Sequence, residues 1–271
     1  SGGSRSGVIL SNIANVHLQP ELLIGGKCGG RDVVAFAITL TKDGSHLDGA
    51  VVLAASIDSA CGQSEFLCDL VAFLHDDIGQ QSEAILTRLG FRVMRPGLPL
   101  DLNDIQDTAT RERVKTGGCC GPAELMKLFA YTLTEYHRVV HLDTDTLVLQ
   151  PLDPILNGEE SLLYTTDLNM ANKRSSVYPV QGGFLVVRPD RTVFDDLVEV
   201  LKSTPFTRMG WGGTGIGLFW GGITVQGLLP YYYEHRAAPG VTYRAVDRCV
   251  YNAMADTDDC KIVDVETIRY A

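Results

Sequence analysis

Two aspartates one residue apart, Asp143 and Asp145, follow the apolar run Val139-Val140-His141-Leu142 and precede a second run, Thr146-Leu147-Val148-Leu149. Carboxylates that emerge together where a buried strand ends are oxygen ligands for a hard divalent cation. Such an ion commonly takes one or two protein carboxylates and fills its other positions with substrate phosphate and water. It offsets phosphate charge and, as a Lewis acid, stabilises a departing diphosphate. Lys127 lies two residues after Leu125, about 200° around a helix at ~100° per residue. It therefore leaves the apolar stripe and can face a cleft, where its ammonium would add positive charge beside a phosphate. Two rival acidic clusters lack this context. Asp256-Thr257-Asp258 sits in a polar stretch without a preceding strand and reads as a solvated turn. His75-Asp76-Asp77 follows a strand but has no basic neighbour to meet a phosphate, and reads as a strand-end turn.

The elements that must position these residues are legible from hydrophobic period. Apolar β-type runs at 33–40, 67–74 and 91–94 alternate with helical patterns over 47–57 and 82–89. This β-α-β-α-β order predicts an α/β domain with a mostly parallel central sheet and helices on both faces, which binds ligands beyond the carboxyl ends of its strands. Gly121-Pro122 reads as a helix entrance. Leu125, Phe129, Leu133 and Tyr136 then follow at helical spacing, which predicts a core-facing helix of about fourteen residues. Further strands are expected at 162–165 and 183–187, and a helix over 191–202. A glycine-rich segment covers 206–222. Residues 1–31, rich in Gly and Ser, read as a tail with one short paired segment near 8–13 or 22–24; residues 32–271 read as a single domain.

With 23 Lys+Arg against 33 Asp+Glu, the chain carries a formal charge of −10. That balance argues against nucleic acid or an anionic membrane surface as partner, because polyphosphate binding relies on counterion release by Lys and Arg. An anionic ligand must be held locally, by metal or by placed donors. No stretch approaches the ~20 consecutive apolar residues that span a bilayer. The start Ser-Gly-Gly-Ser-Arg-Ser-Gly lacks a Met and reads as a trimmed precursor or an appended scar, which leaves an upstream signal or anchor open. Seven cysteines include no Cys-x-x-Cys pair, which disfavours structural zinc. The spacing of Cys61 with Cys68 and of Cys249 with Cys260 suits local disulfides, which would slightly favour a Golgi or secretory lumen; buried free thiols in the cytoplasm are the alternative. At least one thiol is left unpaired within the chain. No Gly-x-Ser-x-Gly elbow, His-Glu-x-x-His helix or Gly-x-Gly-x-x-Gly fingerprint occurs. Tyr231-Tyr232-Tyr233 reads as core packing or a stacking wall ahead of a group that is itself modified. Trp211 and Trp220 could wall a binding groove or simply pack.

Several of these segments together carry a resemblance. Residues 35–40 with 49–57, Lys127-Leu128 followed by Tyr131-Thr132-Leu133-Thr134-Glu135-Tyr136, the block from His141 to Leu149 around Asp143-Thr144-Asp145, and Gln181-Gly182-Gly183-Phe184-Leu185-Val186-Val187-Arg188-Pro189 resemble the glycogenin-like glycosyltransferases of family 8. The match covers about residues 33–230. It implies a GT-A-type nucleotide-sugar-binding domain, Mn²⁺ or Mg²⁺ at Asp143 and Asp145, a UDP-sugar donor, and transfer with retention at the anomeric carbon. By the same resemblance Leu40, Lys42, Asp43 and His46 match the uridine-contacting loop, with His46 standing where glycogenin-type enzymes have a stacking Tyr. Lys127 matches the lysine near the diphosphate and Asp167 an acid near the donor sugar. Gln181 and Gly182 match positions lining the sugar pocket, and Gln226 the glutamine under the anomeric carbon. Thr144 lies between the two metal ligands.

Three departures from the family pattern bear on function. Val225 and Gly222 stand where glycogenin-type enzymes carry acids. The family's His and Lys-Pro-Trp segment would come after Ile268-Arg269-Tyr270-Ala271. The expectation is a metal-dependent retaining hexosyltransferase, with glucose or galactose as the donor sugar and a hydroxyl acceptor in a protein, glycan, lipid or small molecule. The alternatives are a non-catalytic or impaired nucleotide-sugar-binding relative and, less well supported, a metal-dependent phosphohydrolase on the same aspartates. A homodimer is left open.

Overall fold

The computed structural model describes residues 26–167, 170, 177–253, 260 and 265–271. In chain order the first half contains β1 (Lys27–Cys28), β2 (Arg31–Leu40), α1 (Ser45–Cys61), β3 (Leu67–Leu74), α2 (Gln80–Arg88), β4 (Phe91–Met94), α3 (Thr108–Lys115) and β5 (Arg138–Leu142). The second half contains α4 (Asp153–Leu156), β6 (Leu162–Thr166), β7 (Val180–Val187), α5 (Arg191–Ser203), β8 (Phe206–Thr207), β9 (Gly210–Trp211), α6 (Val225–His235), β10 (Tyr243–Ala245) and α7 (Arg248–Tyr251).

The main sheet has the order β10-β6-β7-β5-β2-β3-β4, with β1 paired to the start of β2. All its pairs along that order are parallel except the two made by β7, which runs antiparallel to both β5 and β6. Successive side chains of β2 enter opposite cores. Val33, Ala35 and Ala37 pack with α5, α6 and the 121–132 segment, while Val34, Phe36, Ile38 and Leu40 pack with α1 and α2. A strand buried on both faces reads as a continuous apolar run, which is why 33–40 shows no polar alternation. The mostly parallel sheet with helices on both faces is the architecture expected from the sequence.

Three local expectations need correction or relocation. The stretch Gly121–Thr132 is 3₁₀ rather than α-helical, so residues three apart eclipse one another, and Glu124 lies over Lys127. The run 146–149 is no strand of the main sheet: Leu147 and Leu149 are exposed, and the segment pairs instead with 269–271 through the antiparallel bridge Val148–Tyr270. The paired segment next to the domain start is β1 against Arg31 and Asp32; the stretches 8–13 and 22–24 and the acidic cluster 256–258 lie outside the described residues. Both expected disulfides, Cys61–Cys68 and Cys249–Cys260, are formed. Cys28, Cys119 and Cys120 are free. The three consecutive tyrosines lie within α6 and are buried, with the hydroxyls of Tyr131 and Tyr233 2.9 Å apart. Trp211 is buried and its indole N–H donates to the Gly222 carbonyl at 2.9 Å, whereas Trp220 is exposed.

Candidate active site

The site is built where β5 runs out between β2 and β7. Asp143 N–H donates to the Gly183 carbonyl at 3.1 Å, which extends the β5–β7 pairing by one residue. The chain then turns, and the Thr146 hydroxyl closes the turn on the Asp143 carbonyl at 2.6 Å. Thr144 is buried against α1, and the approach is close enough that a Cβ on Gly49 would lie 2.2 Å from the Thr144 carbonyl oxygen. Glycine at 49 therefore lets the first helix meet the Asp143–Asp145 turn. On the other side a Cβ at Gly183 would lie 2.8 Å from Asp143 Oδ2. Tyr270, fully buried, donates its hydroxyl to the Gly183 carbonyl at 2.7 Å and backs the same corner.

Lys127 is the cation of this corner. Its ammonium is buried and donates to Asp143 Oδ1 at 2.9 Å and to the Gly182 carbonyl at 3.1 Å, with Glu124 Oε2 at 3.1 Å. Burying an unpaired ammonium would be costly, and three acceptors compensate for the lost water. Burial alone would lower the Lys127 pKa; the carboxylates of Asp143 and Glu124 override it and hold the ammonium charged. Burial likewise works to raise the Asp143 carboxyl, but the Lys127 charge wins and keeps it below the usual carboxylate range. Asp145 is exposed and makes no hydrogen bond or ion pair with the described residues. His141, two residues back on β5, is fully buried. Desolvation, reinforced by Lys127, pushes its pKa down to about 3, so it is neutral. Its Nε2 lies 2.8 Å from the Thr39 hydroxyl.

The sugar-pocket residues of the sequence reading converge on Lys127 from the far side. Gln226, in the first turn of α6, is buried, and a Cβ on Gly182 would lie 3.5 Å from its Cγ and 3.4 Å from Lys127 Nζ. Asp167, just past β6, is buried and accepts the Met170 N–H at 3.2 Å, while the Met170 sulfur lies 3.5 Å from Gln226 Nε2. Met170 thus connects Asp167 with Gln226. Gln181 points its amide oxygen at the Gly183 N–H, 2.7 Å away, and serves the β7 backbone.

The four residues of the expected uridine loop part company. His46 lines the same cleft as the aspartates, and Lys42 lines an adjoining cavity. Leu40 is buried in the core between sheet and α1, and its carbonyl accepts the His75 N–H at 2.9 Å. The Asp43 carboxylate turns away to cap the start of α2, accepting the Gly79 N–H at 3.0 Å and the Ser82 hydroxyl at 2.5 Å. Those bonds hold it below its ordinary pKa. The side chains of Leu40 and Asp43 therefore position the loop and do not line the cleft.

The cleft itself is walled by Asp143, Thr144, Asp145, Lys127, Glu124 and His46, with Thr39, Thr41, Cys119, Cys120 and Ala123 completing it. The adjoining cavity shares Thr41, Cys119, Cys120 and Ala123 with it and adds Lys42, Lys115, His75 and Asp77. Sequence reasoning missed Glu124, Cys119, Cys120, Thr39 and Tyr270. Only Glu124 had a local signal, its i,i+3 spacing from Lys127. Asp143 and Asp145 offer oxygen donors from one turn into one cleft, and Asp145 has no hydrogen-bond or ion-pair partner among the described residues. This set fits a hard divalent cation that draws its remaining ligands from substrate and water.

No family model matches the sequence. Among curated proteins the chain is 24% identical over 183 residues to inositol phosphorylceramide glucuronosyltransferase 1 of Arabidopsis thaliana, covering 68% of this chain and 30% of that protein. It is 24% identical over 205 residues to glycogenin-1 of Mus musculus, covering 76% of this chain and 52% of that protein. The chain spans about half or less of the length of these relatives. Among solved structures, an active-site mutant of LgtC superposes with a TM-score of 0.53 at 13% identity, covering 88% of this chain and 85% of the other. That likeness concerns the fold.

Proposed function

We propose that this chain, which is similar to glycogenin-like glycosyltransferases in sequence and shares their fold, transfers a hexose, glucose or galactose, from a UDP-sugar to a hydroxyl acceptor with retention of configuration. The observation that carries this reading is the pairing of buried Lys127 with Asp143, beside exposed Asp145, in one cleft at the carboxyl end of β5. An anionic donor meets an acidic chain of charge −10 and needs such local positive charge.

When bound, Mn²⁺ or Mg²⁺ held by Asp143 and Asp145 supplies charge neutralisation to the diphosphate. The protein's own part is positioning and electrostatics. Lys127, fixed by three acceptors, presents a preorganised cation where leaving-group charge develops. Gln226 offers an amide dipole, and Asp167 behind Met170 a carboxylate, to a sugar ring that gains positive character as the bond to phosphate stretches. The acceptor hydroxyl attacks from the face the diphosphate leaves, and a phosphate oxygen takes its proton.

One observation favours the second reading, a nucleotide-sugar-binding relative without turnover. A Cβ at Gly222 would lie 2.1 Å from the Gly217 carbonyl oxygen, so the backbone there has no room for the acid that glycogenin-type enzymes carry. Val225 is fully buried in the core.

The test is UDP release from a panel of UDP-sugars with Mn²⁺ and with EDTA, for this chain and for Asp145→Asn. Metal-dependent release from one sugar, lost in the variant, is expected. Absence of release from every sugar, alongside tight metal-dependent UDP binding by calorimetry, would overturn catalysis in favour of the binding reading.

A further inference from the structure

The cleft carries a chemistry that hard-metal binding does not use. Cys119 and Cys120 are consecutive and free, and their sulfurs lie 2.9 Å apart. Cys119 also donates its S–H to Glu124 Oε1 at 2.9 Å. The two sulfurs and one carboxylate oxygen all fall within 4.8 Å of one another. We propose that Cys119, Cys120 and Glu124 form a binding site for a thiophilic divalent cation of the Zn²⁺ and Cd²⁺ class, separate from the Asp143 and Asp145 oxygens.

Two sulfurs with one carboxylate suit a soft or borderline d¹⁰ ion and not Mn²⁺ or Mg²⁺. A tetrahedral zinc centre with Zn–S of about 2.3 Å separates its ligand atoms by roughly 3.8 Å. The sulfurs need to part by only about 1 Å from their present spacing to reach this, a side-chain rotation. On binding, each thiol gives its proton to solvent and forms one metal–sulfur bond, and no electron changes hands. Without a cation the Cys119 thiol holds its proton: partial desolvation first, then Cys120 and Glu124, push it far up. Metal binding therefore strengthens as pH rises. Cys119 is exposed and lines both cavities, so an ion can enter and its fourth position is left to solvent.

Glu124 links this site to the catalytic corner, since its other oxygen faces Lys127 at 3.1 Å. A cation on Oε1 draws charge from the carboxylate that helps to hold Lys127. The proposed site is thus placed to weaken the Lys127 corner when zinc is present.

The experiment is titration of the full chain, with both disulfides intact, in EDTA-free buffer, with Cd²⁺, read by the ultraviolet cadmium–thiolate charge-transfer band. Three free thiols per chain, Cys28, Cys119 and Cys120, are confirmed beforehand by thiol counting. One equivalent is expected to produce the band, Zn²⁺ to abolish it by competition, and Mn²⁺ to leave it unchanged. Cys119→Ser and Cys120→Ser should each remove it, and Glu124→Gln should keep it with binding weakened at least about tenfold. Cys28→Ser and Asp145→Asn should retain it in full. A band that is absent from the wild type, or that persists in the Cys119→Ser, Cys120→Ser double variant, would overturn the proposal. So would a count of one free thiol with the two neighbours joined as a disulfide. The readout involves no sugar donor, so its failure leaves the transferase reading standing, and the reverse holds as well.

Discussion

Replacing Lys127 by methionine keeps the length of the side chain and removes its charge, leaving Asp143 and Glu124 in a corner shaped around a cation. Removing one partner of a buried ion pair costs about 3–5 kcal/mol because the other is left uncompensated. Glu124 is 11% exposed and Asp143 40% exposed at the side chain, so water screens the second half of this cluster. The discounted expectation is about 2 kcal/mol at pH 7. For a domain of this size that corresponds to a fall of roughly 4–8 °C in Tm. The pH dependence has a definite sign. In the wild type Lys127 holds the Asp143 carboxyl low, so its contribution is present above the unfolded value of about 3.9 and lost as pH falls through the lower folded value. In Lys127→Met burial acts unopposed and raises the same carboxyl, so the penalty fades as protonation relieves it on the way down from pH 7. The stability gap between the two proteins should therefore narrow steadily between pH 7 and about pH 4. Thermal unfolding by circular dichroism in EDTA across that range measures it. A gap below about 1 kcal/mol at pH 7, or one that stays constant or widens in acid, would refute the assignment of Lys127 as the charge that holds this corner together.

Other expectations bear on single contacts. Gly183→Ala places a Cβ 2.8 Å from Asp143 Oδ2. Metal-dependent UDP release should fall by at least about tenfold from a displacement of that order, while the circular dichroism spectrum is unchanged. Gln226→Ala should lower turnover far more than donor affinity, which steady-state kinetics with a calorimetric Kd will separate. Tyr136→Phe removes the hydroxyl that donates to buried Asp69 Oδ2 at 2.5 Å. Urea unfolding should show a loss of about 1–3 kcal/mol.

Hydrophobic period alone located β2, α1, β3, α2, β4 and the apolar run that ends at Asp143. Each of these depends on residues adjacent in sequence, and a strand or helix face declares itself over one or two turns. The pair Asp143 and Asp145, the helical-looking stretch around Lys127, and the spacing of both disulfides were legible for the same reason. Tertiary structure decided which groups meet. The 121–132 stretch became 3₁₀, which brought Glu124 over Lys127, because packing against α5, α6 and the sheet outweighed the α-helical period. Asp43, expected to face the nucleotide, instead caps α2, where the Gly79 N–H and the Ser82 hydroxyl satisfy its carboxylate. The antiparallel placement of β7 put Gly182 and Gly183 against Lys127 and Asp143, and the 269–271 pairing brought Tyr270 onto the Gly183 carbonyl. Cys119 and Cys120 joined the cleft through the turn ahead of Pro122. Contacts between residues far apart in the chain depend on sheet register and on where a missing Cβ lets two backbones approach, and neither leaves a periodic trace in sequence.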